Sequence, residues 1–146
     1  MKRDQMFVRT DIWREGKYLD LWSVPHFLSG MMIALLTHLL GFETVLAFAI
    51  AFIGTVGYEL WEEWMGIEET RMNRSLDVVV GMMSFTPTFL LASMFSQMIN
   101  LSILLFVGTC DAVLTYFGWK AAQRAAVLES ELRAQIGERQ TESVKK

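Results

Sequence analysis

The 146-residue sequence contains one cysteine and two prolines, and long parts of it contain no charged side chain. Because Cys110 is single, the chain cannot form an internal disulfide. The formal net charge is −3 and no basic stripe is visible, so we expect no nucleic-acid partner. The apolar runs also lack the alternation of polar and apolar residues over about ten positions that marks membrane β-barrel strands, which favours helices.

Aspartate, glutamate, lysine and arginine are missing from residues 24–42 and 44–58, and Asp111 is the only one of them in residues 78–119. A helix that crosses a bilayer needs about 20 predominantly apolar residues. The first two runs each provide one such helix, and the third provides two, separated near the polar segment 96–100. We therefore predict an all-α polytopic membrane protein with four transmembrane helices, at about 22–41, 43–65, 76–96 and 100–120.

No internal repeat or low-complexity segment is visible, so we predict one membrane domain over residues 1–146. Residues 1–21 interleave apolar, aromatic and charged side chains, which is typical of a segment that lies at the lipid headgroups. No small-residue cleavage site follows an early apolar run, so this is not a cleavable signal peptide. Residues 22–120 form the predicted bundle. Residues 121–146 are predicted to be a cytoplasmic amphipathic helix that ends near Gly137 and a disordered tail.

All 13 lysines and arginines lie before residue 18, in the connection between the second and third predicted helices, or after residue 119. The other two connections, near residues 42 and 98, contain none. The positive-inside rule then places both termini and the middle connection in the cytoplasm. We expect a multi-pass protein of the bacterial cytoplasmic (inner) membrane.

The segment 58–81 holds five glutamates, one aspartate and two arginines in 24 positions, between two predicted spans. Three of the glutamates share one face of the second helix, and this face continues as Ala47, Ala51 and Thr55, which would let a neighbouring helix approach closely. Polar residues from the starts of the first and third helices lie at the same depth. The predicted cluster contains Asp20, His26, Glu59, Glu62, Glu63, Arg74 and Asp77.

Some polar residues have a simpler explanation than function. We expect Glu62, Glu68 and Glu69 to be solvated surface, and Arg74 to pair with Asp77 or a glutamate. Asp111 is different, because it lies about 12 Å inside the bilayer at 1.5 Å per residue, where a carboxyl group needs a partner or a proton. Thr115 or another helix could supply that partner.

The motifs DLWSVPHFLSG, YELWEEW and RMNRSLDVVVGMMS, within residues 20–84, resemble the pattern of VanZ-like membrane proteins and the related YjdF-like group. The resemblance implies a small polytopic membrane protein. It also implies a set of functional positions, which are Asp20, His26, Glu59, Arg74, Asp77 and Gly81.

Two chemistries suit this cluster. His26, Glu59, Glu63 and Asp77 could bind a divalent metal such as Mg, Mn or Fe, although no His-Glu-x-x-His motif is present. Alternatively, the site could bind or process a lipid or polyprenyl phosphate headgroup. Arg74, Asp20 and Gly81 would then bind the substrate, while His26, Glu59 and Asp77 act as catalytic residues that move protons. The two hypotheses merge if a metal carries the phosphate.

Two other functions are open from the sequence alone, which does not decide whether the chain is an enzyme. The chain could be a non-catalytic accessory subunit of a larger membrane complex, or a carrier that moves protons or ions through Asp111. Either could form a homo-oligomer. A binding site would show His26, Glu59 and Asp77 facing a common cavity. An accessory subunit would instead show these residues as closed ion pairs.

Overall fold

A computed structural model describes residue 13 and residues 18–64 and 70–144 of the chain. Over these ranges the secondary structure consists of four helices and no strands, which confirms the predicted all-α class. The helices are α1 (Ser23–Leu39), α2 (Thr44–Trp64), α3 (Arg71–Ala92) and α4 (Gln97–Val144).

Three of the helices are long and apolar enough to cross a membrane: α2, α3 and the Gln97–Leu132 part of α4. Helix α1 is also apolar but has only 17 residues. Large apolar side chains cover the outer surface, as the 82% exposure of Val45 and the 70% exposure of Phe106 illustrate. Soluble monomers rarely expose apolar patches of this extent, so the surface supports the prediction of a membrane protein.

Helix α1 is the centre of the bundle, because it contacts each of the other three helices. Its closest approach is to α3, at Gly30, where a Cβ atom would clash with the carbonyl oxygen of Gly81 and with Ser84 Oγ. Small residues at helix crossings allow the backbones to come this close. The buried apolar core lies beside this crossing and consists of Ala34, Ala47, Ala51, Phe85 and Phe89.

Helix α3 begins at Arg71, not near residue 76 as predicted. Thr70 is the N-cap, and its side-chain oxygen accepts a hydrogen bond of 3.1 Å from the backbone N–H of Asn73. Threonine is a favoured cap residue. The earlier start adds more than one turn of polar helix that the hydropathy pattern could not assign to the span.

The break between α3 and α4 falls at residues 93–96, slightly before the predicted position. Asn100, expected at the break, lies in the first turn of α4, and its side-chain amide donates a 2.9 Å hydrogen bond to the carbonyl oxygen of Ala92. This bond satisfies a carbonyl group that the end of α3 leaves without an intrahelical partner.

Helix α4 continues without interruption to Val144, so the predicted end near Gly137 and the predicted disordered tail are wrong for residues 138–144. One glycine costs a helix only about 1 kcal/mol relative to alanine. The residues that come after it, Glu138, Arg139 and Gln140, favour helix strongly enough for the helix to continue.

The predicted interfacial segment 1–21 lies mostly outside the described residues. Its described part includes Trp13, which is buried, with its ring centroid 5.2 Å from that of Trp22. The indole N–H of Trp22 donates a 3.0 Å hydrogen bond to the carbonyl oxygen of Trp13. Trp13 therefore packs against the start of α1.

Replacing Gly30 by alanine should destabilise the protein, because the new methyl group would force α1 and α3 apart. Overpacking of this kind costs about 1–3 kcal/mol. Gly57→Ala is the matched control, since a Cβ at Gly57 meets no atom within 4 Å. We expect thermal unfolding in detergent, followed by circular dichroism, to show a lower midpoint for Gly30→Ala only. Equal midpoints for the two variants would contradict the close crossing.

Candidate functional site

His26 of α1 lies between two buried carboxylates from two other helices. Its Nδ1 atom is 3.5 Å from Glu59 Oε1 of α2, and its Nε2 atom is 4.0 Å from Asp77 Oδ2 of α3. Glu59 is 2% exposed and Asp77 is 1% exposed. The structure therefore brings together the three residues that the sequence assigned as catalytic, although they are far apart along the chain.

Asp77 is held in place by two side chains that donate hydrogen bonds to it. Ser23 Oγ donates to Asp77 Oδ1 at 2.6 Å, and Asn73 Nδ2 donates to Asp77 Oδ2 at 3.2 Å. The same Asn73 amide is 3.4 Å from Asp20 Oδ2, while Asp20 Oδ1 accepts a bond of 2.8 Å from the backbone N–H of Trp22. Asn73 therefore links Asp20, a predicted site residue, to Asp77.

Glu62 is buried, at 8% exposure, and the expectation that it is solvated is wrong. It comes three residues after Glu59 and so shares the face of α2 that packs into the bundle. Its carboxyl group is hydrogen-bonded to Tyr58, whose ring lies 5.4 Å from the imidazole of His26. Glu62 thus adds a third buried carboxyl group near His26.

Glu63 and Arg74 form an ion pair at the edge of the cluster, with 2.7 Å between Arg74 Nη1 and Glu63 Oε2. Glu63 is one residue beyond Glu62, which turns its side chain about 100° away from the buried face of α2. Within the described residues, the side chains that could together hold a metal ion are accordingly His26, Glu59 and Asp77, without Glu63. The predicted pairing of Arg74 with a glutamate is confirmed.

Gly81 lies where α1 and α3 cross, and it does not line the cavity of about 300 Å³ that opens beside His26. A Cβ atom there would lie 3.0 Å from Thr55 Cγ2 and 3.5 Å from the carbonyl oxygen of His26. Close packing accounts for a glycine at this position, so its predicted role in substrate binding has no contact to support it in the described part of the chain.

A cavity of about 300 Å³ opens beside His26. Polar side chains make up much of its lining, including Ser29, Thr55, Tyr58 and Thr115. His26 is the member of the His26–Glu59–Asp77 group that lines the cavity, and the two carboxylates lie behind it. Of the three residues only His26 reaches the cavity, so the pattern expected of a binding site is met by one residue, and the contacts of His26 with Glu59 and Asp77 match the closed ionic group expected of an accessory subunit.

Asp111 lines the same cavity from α4. Its Oδ2 atom is 3.4 Å from Ser29 Oγ of α1, so its partner lies on another helix rather than at Thr115. Its Oδ1 atom is buried and accepts no hydrogen bond from the residues that the structure describes. The sequence left Asp111 apart from the His26 cluster, and the fold brings both to one cavity.

The His26–Glu59–Asp77 group has the composition of a divalent-metal site. One ligand atom from each residue lies within 4.8 Å of the other two, so the three side chains could hold one ion. One imidazole nitrogen with carboxylate oxygens suits Mn, Fe or Mg. These ions prefer more ligands than three, which would leave coordination positions for water or a ligand oxygen.

Sequence reasoning missed Ser23, Asn73 and Tyr58, which contact the predicted residues directly. Asn73 precedes Asp77 by four residues, and Tyr58 precedes Glu62 by four, so both lie on the same helix faces as residues already singled out. This spacing was the available signal. Ser23 gave no such signal, because its contact with Asp77 depends on how closely α1 and α3 cross.

No protein family model, curated protein or solved structure matches this chain. The resemblance to VanZ-like and YjdF-like proteins therefore stays a prediction from short motifs. The function of the protein has to be inferred from the geometry of the His26 site.

Ser23→Ala should destabilise the fold, because it removes the 2.6 Å hydrogen bond to a buried carboxylate. Hydrogen bonds to charged groups contribute about 1.5–3 kcal/mol. Ser93→Ala is the matched control, since Ser93 is exposed just after the end of α3 and its hydroxyl donates to the carbonyl of Leu90, three residues earlier. Equal thermal unfolding midpoints for both variants would show that Ser23 does not hold Asp77.

Proposed function

We propose that the chain is an integral membrane protein with four transmembrane helices and with both termini and the α2–α3 connection in the cytoplasm. Three helices are long and apolar enough to cross. The 17 residues of α1 extend about 26 Å, close to the hydrocarbon thickness of about 30 Å. In this topology all 13 basic residues belong to segments on one side of the membrane, which supports placing that side in the cytoplasm.

Within this topology, we propose that His26, Glu59 and Asp77 bind a divalent cation at the cytoplasmic end of the bundle. The observation that carries this proposal is the convergence of their ligand atoms, within 4.8 Å, from three different helices. Ser23 and Asn73 hold the Asp77 carboxylate from outside the group, as groups behind a metal ligand commonly do.

The balance of charge supports a cation. Two buried carboxyl groups, Glu59 and Asp77, lie within 4.0 Å of the imidazole of His26. A third, Glu62, is buried on the same face of α2 as Glu59, and the guanidinium of Arg74 is already paired with Glu63. Buried charges in proteins are paired with opposite charge or coordinate metals. A bound divalent ion would balance this excess of acid.

We further propose that the bound cation is the means by which the protein binds the phosphate headgroup of a lipid or polyprenyl phosphate. Without a cation the acidic cluster would repel an anion. With one, the coordination positions that the protein leaves open can accept phosphate oxygens, and the cavity beside His26 provides space for the headgroup.

One observation favours the alternative of an accessory subunit in a larger membrane complex. Helix α4 continues beyond the candidate span to Val144. Three apolar side chains near its middle, Val127, Leu128 and Leu132, are 43–59% exposed. This exposed face would suit a partner helix, and it does not compete with the site at His26.

Removing one of the three side chains that bind the cation should weaken cation binding strongly while membrane insertion stays intact. We expect Glu59→Gln and Asp77→Asn each to weaken Mn²⁺ binding about a hundredfold or more, since loss of a group that only supports a metal ligand already costs about 10–100-fold. Binding is measured by titrating purified protein with Mn²⁺ and following free Mn²⁺ by electron paramagnetic resonance. Insertion is checked by membrane fractionation.

Glu63→Gln and Glu43→Gln are the controls, because each removes one carboxylate that is exposed and lies outside the three-ligand group. Both should bind Mn²⁺ as the unmodified chain does. If all four variants bind Mn²⁺ equally, the cation site does not exist.

A further inference from the structure

A groove of about 1020 Å³ runs between α1 and α4, on the side of α1 that α4 covers. Its half near Leu36, Leu104 and Leu105 is apolar. The hydroxyl of Thr109 also lines the groove but donates to the carbonyl of Leu105, within its own helix. The groove therefore presents hydrocarbon along this half.

The other half of the groove is also lined mainly by apolar side chains, but it holds three polar ones and adjoins the cavity beside His26. Ser29, Asp111 and Tyr116 line this half, and Ser29, Ile33 and Asp111 line both the groove and the cavity. Because the two spaces share three residues, a single ligand can extend from one into the other.

Asp111 provides the second sign of a ligand at this junction. Its Oδ1 atom is buried and accepts no hydrogen bond within residue 13 and residues 18–64 and 70–144. Ionisable groups inside a membrane bundle are expensive and are usually found where a protein acts. A hydroxyl or a protonated phosphate oxygen of a ligand could donate the missing hydrogen bond.

We propose that the groove and the cavity together bind one amphiphile, with its hydrocarbon chain along the α1–α4 groove and its phosphate headgroup between His26 and Asp111. That the headgroup is a phosphate rests on the proposed function. The position of the hydrocarbon chain rests on the lining of the groove alone. A helix from a second copy of the chain is a poorer occupant, because its diameter of about 10 Å is too large for the cavity of about 300 Å³ that adjoins the groove.

The dimensions agree with a hydrocarbon chain. The lining residues of α4 span 104–117, a length of about 20 Å at 1.5 Å per residue. One leaflet of the hydrocarbon core is about 15 Å thick, so the groove can hold a complete lipid chain. The volume is also at the upper end of the range of about 300–1,000 Å³ for ligand pockets.

The test uses hexadecyl phosphate that carries a photoreactive diazirine at the end of its chain. The full-length protein in lipid nanodiscs is irradiated with this probe and Mn²⁺, and labelled peptides are identified by mass spectrometry. We expect labelling within residues 104–117 of α4, and competition by excess unlabelled hexadecyl phosphate.

Ala112→Phe fills the groove without replacing a residue of the His26 cluster, because Ala112 lines the groove and not the cavity. We expect labelling to fall about tenfold or more, while Mn²⁺ binding is unchanged. Ala49→Phe is the control, since Ala49 is exposed on the apolar surface of α2 and lines neither space. It should be labelled as the unmodified chain is.

The outcomes separate this proposal from the proposed cation site. Equal labelling of Ala112→Phe and Ala49→Phe would overturn the proposed position of the ligand's hydrocarbon chain in the groove, whatever Mn²⁺ binding shows. Labelling spread over all four helices would overturn it as well. If hexadecanol competes as well as hexadecyl phosphate and Mn²⁺ has no effect, the groove stands and the metal-bound phosphate headgroup is refuted.

Discussion

The close crossing of α1 and α3 at Gly30 is the contact on which the rest of this site depends. Because neither Gly30 nor Gly81 carries a side chain, the two helices approach closely enough for Ser23 to bond Asp77 and for His26 to lie beside it. Small residues on α2 bring Glu59 to the same place, since Ala47 and Ala51 are fully buried. The packing of apolar helices therefore positions a polar group that none of them could assemble alone.

The polar group is unusual in that acid exceeds base inside an apolar bundle. Asp20 and Asp77 share the amide of Asn73, and His26 lies between Asp77 and Glu59. Such an arrangement is costly in hydrocarbon unless protons or a cation compensate for the charge. The cost gives a physical reason to look for a bound ion here and not at the Arg74–Glu63 pair, whose two opposite charges already balance each other.

The location of Asp111 connects the polar group to the groove between α1 and α4. It shares one cavity with His26 and one groove with apolar residues of α1 and α4. A ligand that is polar at one end and apolar at the other would satisfy both environments. A ligand that is polar throughout would use the cavity but leave the groove without a role.

Most of the helical architecture could be predicted from the sequence, because charge-free runs of about 20 residues are a strong signal. The common depth of His26, Glu59 and Asp77 could also be predicted, from helix order and spacing. The start of α3 could not, because the cap at Thr70 lies in a polar stretch that hydropathy does not resolve. The burial of Glu62 was also missed. Glu62 and Glu63 are adjacent in the sequence, and a rotation of about 100° around the axis of α2 separates the buried Glu62 from the exposed Glu63.

The contacts of Ser23 and Asp111 depend on the distances between helices, which cannot be read from the pattern of a single sequence. Ser23 reaches Asp77 only through the close crossing, and Asp111 meets Ser29 only because α4 packs antiparallel on α1. These residues connect the predicted cluster to its surroundings. They became visible only in the packed bundle.

Electron–nuclear double resonance of Mn²⁺ bound to the purified protein tests the central claim most directly. If His26 is a ligand, the spectrum will show hyperfine coupling to one imidazole ¹⁴N, and the coupling will disappear in His26→Ala. A spectrum of fully hydrated Mn²⁺ without nitrogen coupling would contradict the claim that His26, Glu59 and Asp77 form a cation site.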